Sequence, residues 1–225
     1  MLHTGNDDNR LLQILVGDRF GATPLNSLAA IRAERRERAR PLAASLDLGP
    51  SDRVLELGSG CGWAALELAP RVAEYHCADV QEEFLRFAGM ELRGVDNVHM
   101  HKMAYGDFKG LHSLGITKSL AMDVFTQFNL HDHAIYLREV YELLPVDGWF
   151  YFNYLNADFL NVRTNAKFLR HNRLFAEDRT QFPLLTHWTS ARTMRDIARD
   201  IGFAVQASEE SPEHSWMVLR KASGS

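Results

Sequence analysis

The ten residues V-L-E-L-G-S-G-C-G-W, Val54 to Trp63, decide how the rest of this chain is read. An apolar run carrying one carboxylate, Glu56, leads into three glycines at alternate positions, Gly58, Gly60 and Gly62. A buried strand that breaks into a glycine turn and then enters a helix aims backbone N–H groups at a ligand. Three ligand classes use such a turn. A triphosphate cradle needs GxxxxGK[ST], and no lysine follows here. A dinucleotide turn needs GxGxxG. With Gly58 and Gly60 as its first two glycines the third falls on Trp63, whose indole opposes the close helix–strand packing that glycine permits.

Around this turn the chain alternates strand and helix. Arg53–Gly58 reads as a buried strand and Gly62–Val72 as a helix, followed by a second strand at Glu74–Val80. The stretch EEFLRFAGMELRG has Phe84, Phe87, Ala88 and Leu92 at helical spacing. Further strands are expected at NVHMHKM, SLAMDVF and GWFYFNYL, with a helix from His131 to Leu144 stopped by Pro145. A helix follows Thr189 or Ser190 as cap and ends at Gly202, and FAVQAS and SWMVLRK read as a closing antiparallel pair. This alternation predicts an α/β fold with a mostly parallel, doubly wound sheet of seven strands, the last antiparallel.

Ahead of the sheet, residues 1–41 read as a helical cap or lid. LLQILV is a packed apolar segment or short helix, and LNSLAAIRAERRERAR is a helix ending at Pro41. The Arg/Glu run from Arg32 to Arg40 is expected to be a solvated face laced with i,i+4 ion pairs, with phosphate binding as the alternative. Residues 42–225 form the main domain. Within it, 156–188 break the rhythm and read as a helical insertion after strand five.

Composition narrows the function classes. The chain has 225 residues, 46% hydrophobic and 24% charged, with a formal charge of −4. That suits an ordinary globular domain and weakens a nucleic-acid reading. Cys61 and Cys77 form no CxxC pair, no run approaches a membrane span, and MLHTGNDDNR lacks the apolar core of a secretory signal. A cytoplasmic protein is expected. His99 and His101 share a strand face, but no acid cluster joins them, so no metal is expected.

What remains is E-x-G-x-G-x-G, which resembles motif I of the class I S-adenosylmethionine-dependent methyltransferases. The later elements resemble that family in order. DVFTQFN is similar to its segment after the fourth strand, with Gln127 in place of the usual histidine. LLPVDGWFYF is similar to its LKPGG turn, with Val146 and Asp147 as departures. The resemblance covers roughly Leu42 to Lys221, less the insertion.

It implies S-adenosylmethionine as cofactor, bound by Glu56 on the methionine amine, by Gly58, Ser59 and Gly60 in the turn, and by Asp79 on the ribose hydroxyls. Val80 would lie against the adenine, and Met103 and Ala104 along its edge, with Asp107 as substitute if the loop is longer. Asp123 is assigned either to the methionine amine or a basic substrate, or to an inward polar place at its strand end.

The acceptor must lie at the carboxyl ends of strands four and five, among Asp123, Thr126, Gln127, Asn129, His131, Asn153 and Tyr154. His131 is the candidate general base, because histidine titrates near neutrality. The alternative reading makes HDH a helix start capped by Asp132. Aromatic residues in the cap and insertion (Phe20, Phe159, Phe168, Phe175, Phe182, His187 and Trp188) either favour a small apolar or aromatic acceptor, methylated on oxygen or nitrogen, or pack the lid onto the sheet. Rival readings are a non-catalytic S-adenosylmethionine sensor or partner subunit, and a nicotinamide oxidoreductase. Homodimer formation is left open.

Overall fold

A computed structural model gives the fold, and it describes residues 28–166, 168–169, 173, 187–212 and 215–223. The segment LLQILV and Phe20, Phe175, Phe182 and Pro183 lie outside the described residues.

Eight strands make one sheet. They are β1 (Arg53–Leu57), β2 (Glu74–Asp79), β3 (Val98–Lys102), β4 (Lys118–Ala121), β5 (Trp149–Asn156), β6 (Trp188–Thr189), β7 (Phe203–Glu209) and β8 (Ser215–Lys221). Seven of them run in the order β3-β2-β1-β4-β5-β8-β7, and the two-residue β6 pairs with the end of β5. That eighth strand goes beyond the seven expected from the sequence. Its two residues are too few to leave a periodic signal. All strands of the path are parallel except β8, which is antiparallel to both β5 and β7.

Helices cover both faces. On one, α5 (Leu130–Leu143) and α6 (Ala191–Ile201) bury Tyr136, Leu137, Val140, Met194 and Ala198 against Leu55, Leu57, Phe150 and Phe152. On the other, α2 (Leu42–Ser45), α3 (Ala65–Leu68) and α4 (Glu82–Glu91) bury Leu42, Leu68, Leu85 and Ala88 against Val54, Tyr75, Cys77 and Leu120. Alternate residues of each central strand thus serve opposite cores. Among the described residues no helix is long and apolar enough to cross a membrane.

Three expectations need correction. The helix after the glycine turn is one turn long, not the eleven-residue helix expected. Gly62 has φ +71° at its start, and Pro70 converts its end to a 3₁₀ turn, Ala69–Arg71. The cap of α5 is Asn129, not Asp132. Asn129 Oδ1 accepts the N–H groups of His131 (2.9 Å) and Asp132 (3.1 Å), while Asp132 accepts the Asn129 N–H to complete a capping box.

The third concerns α1 (Leu28–Ala39), whose arginines are not merely a solvated face. Arg38–Glu34 is an i,i+4 pair, but Arg36 and Arg40 reach Glu67 of α3, and Arg32 reaches Glu91 of α4. Arg35 and Arg38 reach Asp123, far along the chain. Ion pairs with distant acids dock this helix beside the glycine turn.

Candidate active site

Strand order reverses between β1 and β4, so their carboxyl ends splay and leave a crevice. The turn Gly58–Gly62 leaves β1 on one side of it. Residues 122–129 leave β4 on the other.

The glycines do different work. A Cβ at Gly58 would stand 2.3 Å from Val124 Cγ2, and one at Gly62 would stand 2.6 Å from Leu92 Cδ1. Those two are small because neighbours press on them. A Cβ at Gly60 meets nothing within 4 Å, yet φ there is +53°. The middle of the turn therefore opens onto space, and its backbone conformation favours glycine.

Two carboxylates flank this opening. Glu56 is 3% exposed, and its Oε2 accepts the Tyr75 hydroxyl at 2.9 Å. Burial pushes its pKa up to about 8, against the opposing pull of that hydroxyl; Asp79 adds to the rise and Arg35 moderates it. Asp79 ends β2, where its Oδ2 accepts the Gly60 N–H at 2.9 Å and its Oδ1 the Gln81 N–H at 2.8 Å. Burial raises its pKa too, although these two N–H groups resist the shift. Asp79 thereby ties the β2 end to the middle of the turn. Val80, next in sequence, is 40% exposed, an apolar side chain following Asp79.

The loop after β3 completes this side. Met103 is buried and its N–H donates to the Asp79 carbonyl at 3.1 Å, whereas Ala104 is exposed. Asp107 Oδ1 accepts the Lys109 N–H at 3.0 Å and so serves its own turn. Ser59 and Cys61 are buried within the turn. Trp63 is also buried, its indole donating to Glu91 at 3.2 Å, which fixes the turn against α4.

Across the crevice Asp123 sits at φ +60°, a conformation disfavoured for an L-residue. Its N–H donates to Asn153 Oδ1 at 2.7 Å, and Asn153 Nδ2 donates back to Asp123 Oδ1 at 2.6 Å. Arg38 binds both carboxylate oxygens at 2.8 Å, and Arg35 also donates to Oδ2. The Asp123 carbonyl accepts from Thr126 Oγ1 at 2.9 Å and Gln127 Nε2 at 3.1 Å. Asp123 is thus the hub that joins α1, β4 and β5.

The other expected acceptor-side residues separate. His131 is exposed in the first turn of α5. Tyr154 is fully buried and packs near Phe152. His187 N–H donates to the Thr126 carbonyl at 2.9 Å, bringing the end of the insertion to the β4 loop. Phe168 meets Trp188 edge-on at 5.6 Å.

Sequence reading missed Arg35, Arg38 and Tyr75. The i,i+3 spacing of the two arginines, which places both on one helix face, was the available signal. It also missed a cluster in which His76 contacts both His99 and His101, with His76 Nδ1 at 2.9 Å from His101 Nε2. Among the described residues no group of three or more His, Cys, Asp or Glu is arranged to hold a metal ion.

Comparison with known proteins gives the family and the fold. A family model described as a methyltransferase domain matches residues 29–208. A protein-L-isoaspartate O-methyltransferase of Roseiflexus castenholzii is 44% identical over 59 residues, which are 25% of this chain and 27% of that relative. The chain therefore matches only about a quarter of that enzyme's length. Among solved structures, the magnesium protoporphyrin IX methyltransferase of Synechocystis with bound SAH superposes with a TM-score of 0.64 at 14% identity, covering 96% of this chain and 92% of that one. A Haloferax volcanii chain solved in complex with the Trm112 methyltransferase activator gives 0.67 at 15% identity, covering 87% and 93%. These likenesses show the fold, and the family match extends over most of the chain: it belongs to the methyltransferase-domain family and has the class I, Rossmann-like methyltransferase fold.

Proposed function

We propose that the chain transfers a methyl group from S-adenosylmethionine to an oxygen or nitrogen of a small, apolar or aromatic acceptor. The observation that carries this reading is the open Gly60 turn flanked by two buried carboxylates, Glu56 and Asp79, at the reversal of strand order. The donor set fits the ligand. A methionine amine needs an acid, and Glu56 has Oε1 beyond the oxygen that Tyr75 occupies. A ribose diol needs an acceptor at the β2 end, where Asp79 stands. An adenine needs an apolar wall, for which exposed Val80 is suited, with the Met103–Ala104 backbone along its edge.

Bound S-adenosylmethionine supplies a methyl group activated by its sulfonium. The protein's part is to orient it and to hold the acceptor near 3 Å on the far side, roughly in line with the bond that breaks. A neutral thioether leaves, so no group need stabilise a departing charge. A hydroxyl acceptor also needs a base, and His131 is the proposed one. The aromatic acceptor is proposed from the aromatic composition of the insertion, whose Phe168 and Trp188 meet edge-on.

Calorimetry with S-adenosylhomocysteine tests the reading. Binding is expected, and Asp79→Ala should weaken it about ten- to a hundredfold, the scale of a lost charged hydrogen bond. His131→Ala should leave that affinity unchanged while depressing turnover of a hydroxyl acceptor. Tight NADH binding without S-adenosylhomocysteine binding would refute the donor. Cofactor binding with no acceptor methylated across a broad panel would favour a sensor.

A further inference from the structure

By sequence, His99 and His101 share a strand face with no acid cluster beside them. The fold brings partners from the neighbouring strand. His76 of β2 pairs in register with His99 and Ala78 with His101, so all three imidazoles lie on the face that also carries Leu55 and Ala78. Because β3 is the outer strand of the sheet, the cluster opens at an edge: His76 is 2% exposed, His101 is half-buried and His99 is exposed. His76 Nδ1 faces His101 Nε2 at 2.9 Å. One of these nitrogens carries the proton between them, and the other presents a bare lone pair. The His76 ring centroid lies 5.1 Å from that of His99 and 5.1 Å from that of His101.

These spacings are close to those of imidazoles on one cation. Metal–nitrogen distances of about 2.0–2.1 Å in a tetrahedral site put ligating nitrogens about 3.3 Å apart and ring centroids about 5 Å apart. An opening of about 0.4 Å between Nδ1 and Nε2 would seat the ion. Among the described residues no three ligands yet face one point; His99, stacked on His76 at 28°, has to turn inward to become the third. Burial, with His101 and His99 beside it, lowers the His76 pKa to about 4, and burial lowers that of His101, so both rings are neutral, the form that ligates. His76 Nε2 is buried without a well-formed hydrogen bond, 3.2 Å from Glu74 Oε2. Arg53 keeps the Glu74 pKa below its usual value, so an anion stands behind the imidazole. A cation on Nδ1 would fix the proton on Nε2, toward that carboxylate, the partner that orients ligating histidines.

We propose that His76 Nδ1 and His101 Nε2, joined by His99, bind one divalent cation of the zinc class, which clips the edge strand β3 to β2. Imidazole nitrogens select that class over magnesium and calcium, which take oxygen ligands. The site lies outside the crevice, and the proposal does not depend on what the crevice binds.

Calorimetry with zinc chloride, on chain freed of metal by a chelator, tests the proposal. One ion per chain is expected, with a rise in melting temperature that EDTA reverses. Magnesium chloride should give neither effect. His101→Asn and His99→Asn should each weaken zinc binding at least tenfold, no less than the loss of an outer-shell partner costs. His112→Asn, whose imidazole stands near Glu139 instead, should leave it unchanged. Circular dichroism checks that each variant folds, and the exposed His99 carries the same test should His101→Asn fold poorly. Wild-type zinc affinity in either cluster variant would overturn the proposal. An equal loss in His112→Asn, equal binding of magnesium, or a wild-type chain that takes up no zinc would overturn it as well.

Discussion

Glu56→Gln should stabilise the folded chain, by an amount set by pH. The carboxyl is 3% exposed, and burial raises its pKa from 4.5 to about 8 in the fold. A raised folded pKa means that the folded chain keeps a proton which the unfolded chain has released. Stability contributed by this group is therefore full below pH 4.5 and falls as pH rises to 8. At about 1.4 kcal/mol per pH unit, the shift costs about 3 kcal/mol by pH 7 and about 5 kcal/mol above pH 9. Glutamine carries no titrating proton, and its amide oxygen can still accept the Tyr75 hydroxyl that now meets Oε2 at 2.9 Å. The variant-minus-wild-type difference should therefore grow by about 3 kcal/mol between pH 4 and pH 7. Urea denaturation of both chains across that range measures it. S-adenosylhomocysteine affinity should fall in the same variant, because the ligand's ammonium would draw Glu56 into its anionic form and glutamine has no such form. Parallel stability curves would refute the reasoning. They would mean that Arg35 and the Tyr75 hydroxyl already hold Glu56 as a comfortable anion.

The turn glycines should separate into two kinds. Gly58→Ala drives a methyl to 2.3 Å from Val124 Cγ2 at φ +64°, and should cost about 2–4 kcal/mol of stability in a urea melt. Gly60→Ala meets nothing within 4 Å, so only its φ of +53° is penalised, at about 1–2 kcal/mol. Its new methyl enters the space proposed for the ligand and should reduce S-adenosylhomocysteine affinity at least tenfold; equal melts for the two variants would contradict this division. A third expectation concerns acid. Burial and the neighbours His101 and His99 lower the His76 pKa from 6.5 to about 4, so the unfolded chain takes the proton first. The stability His76 contributes is full above pH 6.5 and is lost toward pH 4, by about 3 kcal/mol. An imidazole titration by NMR checks this, and a His76 midpoint above pH 6 would rule it out.

How much of this was legible beforehand follows from how far each signal reaches along the chain. The strand-turn-helix around Val54–Trp63 is local, and the order of β1 to β5 and the β7–β8 pair were read correctly from period and punctuation. The one-turn α3 was overestimated because Ala65, Leu66 and Leu68 are good helix formers, while the left-handed Gly62 and Pro70 close it from both sides. Propensity spoke for the segment and backbone geometry overruled it. β6 leaves no pattern because two residues have no period.

The site was half legible for a related reason. Glu56, Asp79 and the glycines show their common place in their spacing, since all sit at ends of adjacent strands. Arg35 and Arg38 do not. Within α1 they look like members of an Arg/Glu run, and Arg38 does make the expected i,i+4 pair with Glu34. What gives them meaning is Asp123, 85 residues from Arg38 and 88 from Arg35 in sequence. Asp123 holds that place through Asn153 of β5, a further 30 residues on. A helix pattern records which residues share a face, and it cannot name the acid that face will meet. Tyr75 failed differently. It drew no reading beyond its place in the second strand, yet it is fully buried and its hydroxyl donates to Glu56. A buried phenol implies a buried partner, and a buried carboxylate two strand positions from the turn implies a donor. Register supplies the link: Arg53 pairs with Glu74 and Val54 with Tyr75, which brings Tyr75 beside the strand that carries Glu56. The two unpaired polar groups in adjacent apolar strands were each other's answer.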